Sequence, residues 1–129
     1  MNVPGNLKFS ESNEWINLEG NTGTIGISDY AQDQLSDIVF AEVIVNEGDT
    51  IKKGDTIATV ESVKAAADVY TPVSGKVISV NEGLGSAPEV INSDPYGAAW
   101  IIKLEVSNLT DLDALLDSAG YEKFIQDQK

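Results

Sequence analysis

The sequence has no cysteine and no histidine, and every basic residue in it is a lysine. Without cysteine there is no disulfide, no thiol nucleophile and no thiolate metal site. Without histidine there is no imidazole ligand and no Ser-His-Asp triad. No nucleophile–base pair stands out, so a self-sufficient catalyst is not expected. The acids show no EF-hand-like spacing, and no metal site is expected either. No apolar run approaches the length of a membrane span. The opening Met1-Asn2-Val3-Pro4-Gly5-Asn6 lacks the basic and apolar regions of a signal peptide, so a cytoplasmic location is the simplest expectation.

Positive charge is also scarce: 8 basic residues face 21 acidic ones, for a net charge of −13. That balance argues against nucleic acid and against anionic membranes as partners. It suits solubility and steering toward basic patches on other proteins. At 129 residues the chain is long enough for one core, and a single domain over 1–129 is expected.

What is present reads mainly as strand. Leu7–Phe9, Trp15–Leu18 and Thr22–Ile27 read as short antiparallel strands, with Glu19-Gly20-Asn21 joining the last two. Ser28 is placed to cap a short helix near 28–35, with Asp29 in its first turn. Ile38–Val45 and Asp55–Val60 are β-branched runs, and Asp68–Val77 is a further strand-like stretch. Glu82–Pro88 is rich in glycine and predicts a surface loop, and Pro88–Asn92 one helical turn. Trp100–Val106 predicts a strand. Thr110-Asp111-Leu112-Asp113 resembles a capping box opening a helix through about Asp117, with Leu112, Leu115 and Leu116 on its apolar side. Tyr121, Phe124 and Ile125 predict a last helix capped by Ser118. Two sheets with appended helices follow, as a flattened barrel or sandwich.

Lys64 lies between the strand runs on either side of Glu61–Asp68, where a hairpin tip would project it into water. Most lysines are solvated surface residues, so position alone says little. A repeat adds to it: Val45-Asn46-Glu47-Gly48 recurs 35 residues later as Val80-Asn81-Glu82-Gly83, and the midpoint of the two copies is residue 64. Two similar halves meeting at a hairpin would give this pattern.

These residues resemble the H protein family of the glycine cleavage system. The likeness runs over nearly the whole chain: Glu14-Trp15, Gly26-Ile27-Ser28-Asp29-Tyr30-Ala31-Gln32, Asp37-Ile38-Val39-Phe40, Glu61-Ser62-Val63-Lys64-Ala65, Pro72-Val73-Ser74-Gly75, and Asp94-Pro95-Tyr96-Gly97 before Trp100. The resemblance implies a mainly β fold, a lipoyl/biotinyl-domain-like β-sandwich (a barrel-sandwich hybrid), with a core of about 22–106. Extra N-terminal strands and a C-terminal helical segment of about 110–127 would flank it. It implies lipoate covalently attached to Lys64. The arm would shuttle an aminomethyl group from a pyridoxal-phosphate-dependent glycine decarboxylase to a tetrahydrofolate-dependent aminomethyltransferase. A dihydrolipoyl dehydrogenase would then reoxidise it, and a lipoate ligase or lipoyl/octanoyl transferase would install it. The chain would be a non-catalytic carrier, and a monomer is expected.

Around Lys64, Glu61 and Asp68 bracket the turn with negative charge, Ser62 adjoins it, and Ala65, Ala66 and Ala67 leave room for a ligase. Glu61 and Asp68 read equally well as ordinary hairpin acids. The resemblance implies a cleft for the loaded arm at Ser12, Glu14 and Asp68, with Glu14 facing the ammonium. The chain departs from the family pattern at Asn13 and Gln34, where histidine is usual or frequent, and at Ala98-Ala99. A lipoate relay donating lipoyl groups to 2-oxoacid dehydrogenase subunits needs the same lysine and stays open. A biotinyl carrier is disfavoured by Val63 and Ala65, where methionine usually flanks the lysine. An acidic interaction protein binding divalent cations has no supporting acid spacing.

Overall fold

The computed structural model describes residues 2–128; Met1 and Lys129, the ends of the expected 1–129 span, lie outside the described residues. The early alternation becomes β1 (Lys8–Phe9), β2 (Glu14–Glu19) and β3 (Thr22–Ile27). Gly20, at φ +62°, turns β2 into β3, a backbone region that suits glycine. Ser28 caps α1 (Asp29–Leu35) by accepting the N–H of Ala31 at 3.1 Å, a bond worth about 1 kcal/mol. Next come β4 (Ile38–Val43), β5 (Thr50–Ile51), β6 (Thr56–Ser62), β7 (Ala66–Tyr70) and β8 (Gly75–Val80). A single turn, α2 (Val90–Ser93), then β9 (Ile102–Val106) and α3 (Ser118–Asp127), complete the order.

One sheet has the order β1-β2-β3-β9-β8-β5, and the other has the order β4-β6-β7. Their inner faces share an aliphatic core that includes Ile25, Ile57, Val60, Val69, Ile102 and Leu104. A smaller aromatic cluster, with Phe9, Trp15, Tyr30 and Tyr121, sits where α3 packs on β1. The mainly β sandwich with short helices agrees with the expectation.

Several boundaries differ from the sequence reading. The stretch 68–77 is not one strand: β7 ends at Tyr70, and Thr71–Ser74 carry the chain to the other sheet. Pro72 has no N–H for a ladder, and buried Thr71 donates its hydroxyl to the Val73 carbonyl at 2.6 Å. Glu82–Gly85 is a 3-10 helix rather than an irregular loop. Asn81 accepts the Gly83 N–H, and Leu84, flanked by glycines, is buried in the core. The segment after Ser107 is likewise a 3-10 helix, Leu109–Ala114, capped by Asn108 instead of Thr110. It stops there because Leu116 exchanges two backbone hydrogen bonds with Phe9 of β1, each 2.8 Å. Asp117, not Ser118, caps α3 by accepting the Gly120 N–H at 2.8 Å.

The two copies of the repeated tetrapeptide lie just after β4 and at the end of β8, and their Val45, Asn46, Val80, Asn81 and Glu82 line one cavity of about 420 Å³. Their turns differ: Gly48 has φ +91°, whereas the second copy enters the 3-10 helix.

Candidate functional site

The β6–β7 hairpin carries Lys64 at its tip. Ser62 shapes that tip: its hydroxyl oxygen accepts the N–H groups of Lys64 at 3.2 Å and Ala65 at 3.0 Å, and its O–H donates to the Ala65 carbonyl at 3.1 Å. The Ser62 N–H closes the turn on the Ala65 carbonyl at 2.7 Å, and the Val63 N–H reaches the Asp37 carbonyl at 3.0 Å. The turn is fixed, and the side chains of Val63, Lys64 and Ala65 are exposed. A serine hydroxyl taking local amides is a common way to stabilise a turn.

Glu61 is exposed on the outer face of the small sheet, opposite Phe40 of β4 and Ala66 of β7. Asp68 is opposite Thr59 and accepts its hydroxyl at 3.4 Å. Further along the same hairpin, Val60, Ala67, Asp68 and Val69 form one wall of a cleft of about 190 Å³. Ala31, Gln34 and Leu35 of α1 form a second wall, and Ser12, Asn13, Glu14 and Ile27 complete it.

Glu14 is 2 % exposed. One carboxylate oxygen accepts the hydroxyls of Ser10 at 2.6 Å and Ser12 at 2.5 Å, and the other accepts the Tyr70 N–H at 3.2 Å. Burial pushes its carboxyl above the ordinary carboxylate range; the hydrogen bonds from Ser10, Ser12 and Tyr70 pull the other way but less strongly. No lysine among the described residues contributes to that balance. Such a group favours a small cation that can replace the lost water.

The structure thus brings Ser12, Glu14 and Asp68 to one cleft, while Glu61, Ser62 and Lys64 stand at the exposed end of the same hairpin. Of the three departures, Asn13 and Gln34 line the cleft, but Ala98 and Ala99 do not. Ala99 is buried in the core, and the Ala98 carbonyl accepts from the Asn81 amide at 2.9 Å. Sequence reasoning missed Ser10, the second hydroxyl on Glu14. The spacing Ser10-x-Ser12-x-Glu14 was its only signal. It also missed the Tyr70 N–H and, on α1, Ala31 and Leu35.

A family model described as glycine cleavage H-protein matches residues 7–128. The chain belongs to the glycine cleavage H-protein family. A glycine cleavage system H protein of Carboxydothermus hydrogenoformans is 52 % identical over 126 residues, covering 98 % of this chain and 96 % of the relative. One from Bacteroides fragilis is 46 % identical over 125 residues, covering 97 % and 98 %. The crystal structure of a glycine cleavage system H protein from Mycobacterium marinum superposes with a TM-score of 0.86 at 28 % identity, covering 98 % of this chain and all of that one. The H-protein likeness therefore takes in both the hairpin and the cleft. No helix among the described residues is long and apolar enough to cross a membrane.

Proposed function

We propose that the chain is the lipoyl carrier of a glycine cleavage system, with lipoate joined by an amide bond to Lys64. The observation that carries the reading is a juxtaposition. The exposed lysine stands at the tip of the same β6–β7 hairpin whose Val60, Ala67, Asp68 and Val69 wall the Glu14 cleft. The residues fit the group: the lysine is open to a ligase, and Ala65 and Ala66 beside it are small and exposed. When attached, the group supplies a dithiolane that carries an aminomethyl unit between a pyridoxal-phosphate-dependent glycine decarboxylase and a tetrahydrofolate-dependent aminomethyltransferase, and dihydrolipoyl dehydrogenase restores it.

The chain's own residues supply tether and shelter. Ser62 holds the turn so that Lys64 leaves the hairpin in one direction. Tethering raises the effective concentration of the cargo at each partner. Glu14, held by Ser10 and Ser12, receives the ammonium end of the loaded arm and excludes water from it. The acidic outer face of Glu42, Glu61 and Asp68 suits partners whose funnels carry basic rims. A relay that only hands on lipoate needs Lys64 but gives the buried Glu14 no task, so the structure favours the glycine-cleaving role.

Expression with lipoate and an active ligase tests the attachment. One lipoyl increment on the peptide containing Lys64 is expected, and an unmodified Lys64 would sink the reading. Glycine–bicarbonate exchange with the partner enzymes then separates the carrier from the relay, because a relay alone would support none.

A further inference from the structure

The C-terminal helix contributes no residue to the cleft lining, yet one of its side chains ties two walls of the cleft together. Tyr121 of α3 is fully buried, and its ring stacks on Phe9 with centroids 4.4 Å apart and planes 2° from parallel. The ring therefore fixes where the hydroxyl points. That hydroxyl lies 2.9 Å from Asn13 Oδ1 and 2.6 Å from Ser28 Oγ. An amide oxygen only accepts, so the single Tyr121 proton goes to Asn13. Ser28 must then donate its own proton to the tyrosine oxygen. The Ser28 oxygen meanwhile accepts the Ala31 N–H at 3.1 Å as the cap of α1. The result is a one-directional chain from Ser28 through Tyr121 to Asn13. Burial pushes the Tyr121 hydroxyl above its ordinary range, which keeps it a neutral donor.

Both ends of that chain matter to the cleft. Asn13 has φ +77°, a left-handed conformation uncommon outside glycine and tolerated best by asparagine and aspartate. Its conformation sets the directions in which Ser12 and Glu14 leave the backbone. At the other end, Ser28 fixes the first turn of α1, whose Ala31, Gln34 and Leu35 form the opposing wall. The backbone adds one direct link, from the Ser28 N–H to the Asn13 carbonyl at 2.9 Å.

We propose that Tyr121 is a positioning residue for the cleft, clamping the Ser12–Glu14 corner to the N-cap of α1 from the C-terminal helix. Its role in cargo protection rests on the cleft reading above; the clamp itself does not. Removing the hydroxyl alone leaves Asn13 without its donor and Ser28 without its acceptor, while the ring stack survives.

Amide hydrogen exchange of the unlipoylated protein tests the clamp. In Tyr121→Phe the amides of Glu14, Tyr70 and Ala31 should exchange roughly tenfold faster, as for loss of a buried hydrogen bond, with strands β8 and β9 unchanged. Asn13→Gly removes the acceptor while easing the backbone, and should reproduce the effect without adding to it in the double variant. Ile125→Ala removes packing from the same helix, so its exchange should rise across the aromatic cluster rather than at the cleft walls. Uniform acceleration in Tyr121→Phe, or none at those three amides, overturns the proposal. A separate readout is the lifetime of the aminomethyl group on the charged protein. Tyr121→Phe should shorten it severalfold, with lipoylation of Lys64 complete. If Glu14→Ala leaves that lifetime unchanged, the cleft reading fails, and the exchange data still decide the clamp.

Discussion

The hairpin tip and the Glu14 corner are solved in opposite ways, though they lie on or beside the same hairpin. The tip is exposed, and one serine hydroxyl, one local backbone bond and the bond from the Val63 N–H to the Asp37 carbonyl hold it. The corner is buried, and its carboxylate is held by contacts from Ser10, Ser12 and Tyr70, the last 56 residues away in sequence. On the proposed reading, Lys64 is visited by several enzymes and needs access. Glu14, proposed to hold a small ammonium away from water, needs burial and fixed neighbours, and the low local dielectric strengthens every bond it makes. Access and shelter are kept on separate residues joined by one strand pair.

The largest effect is expected at the tip. Lys64→Arg should abolish the lipoyl mass increment completely. Stability should stay within about 0.5 kcal/mol, as is usual for an exposed side chain, with intact mass and a thermal melt as the two readings. Gly26→Ala breaks the other side. A Cβ there would lie 2.7 Å from the Trp15 indole, next to Glu14, and should cost about 1–3 kcal/mol in a denaturant titration. Lipoylation of that variant should remain complete.

Ser62→Ala should cost less, about 0.5–1.5 kcal/mol for its turn hydrogen bonds, and should slow lipoylation without stopping it in a ligase time course. The smallest effect is the pH dependence carried by Glu14. Its folded pKa is raised above the unfolded value, so the folded state holds the proton more tightly. Its contribution to stability is present below the unfolded pKa and declines as pH rises through the folded one. Relative to Glu14→Gln, the wild type should therefore lose stability from about pH 4 upward until Glu14 is fully ionised, then level off. Denaturant midpoints across that range read the slope, and a rising difference would contradict the assignment.

The parts of this design that were readable in sequence are the local ones. The Ser28 cap, the early strands and the Lys64 hairpin follow from short-range chemistry, such as alternation, β-branching and a hydroxyl before a helix. Leu84 was hidden because two flanking glycines read as a loop, whereas burial of one leucine drew the segment into a 3-10 helix. Thr110 looked like a cap, but Asn108 took that position: its side-chain oxygen accepts both the Thr110 N–H at 3.1 Å and the Thr110 hydroxyl at 2.5 Å. Ser10 escaped notice because it reaches Glu14 through a turn rather than along a strand. The link between Tyr121 and Asn13, 108 residues apart, had no local signature at all. Such bonds are set by how α3 packs on β1, and packing is a property of the whole chain.

On the proposed function, an arm anchored at Lys64 returns its cargo to the Glu14 cleft. The direct measurement compares amide NMR spectra of the lipoylated protein before and after charging with glycine and the decarboxylase. Shifts concentrated at residues 12–14, 31–35 and 67–69 are the predicted result. Shifts confined to residues 62–66 would contradict the claim, leaving the hairpin as a tether and the cleft without its cargo.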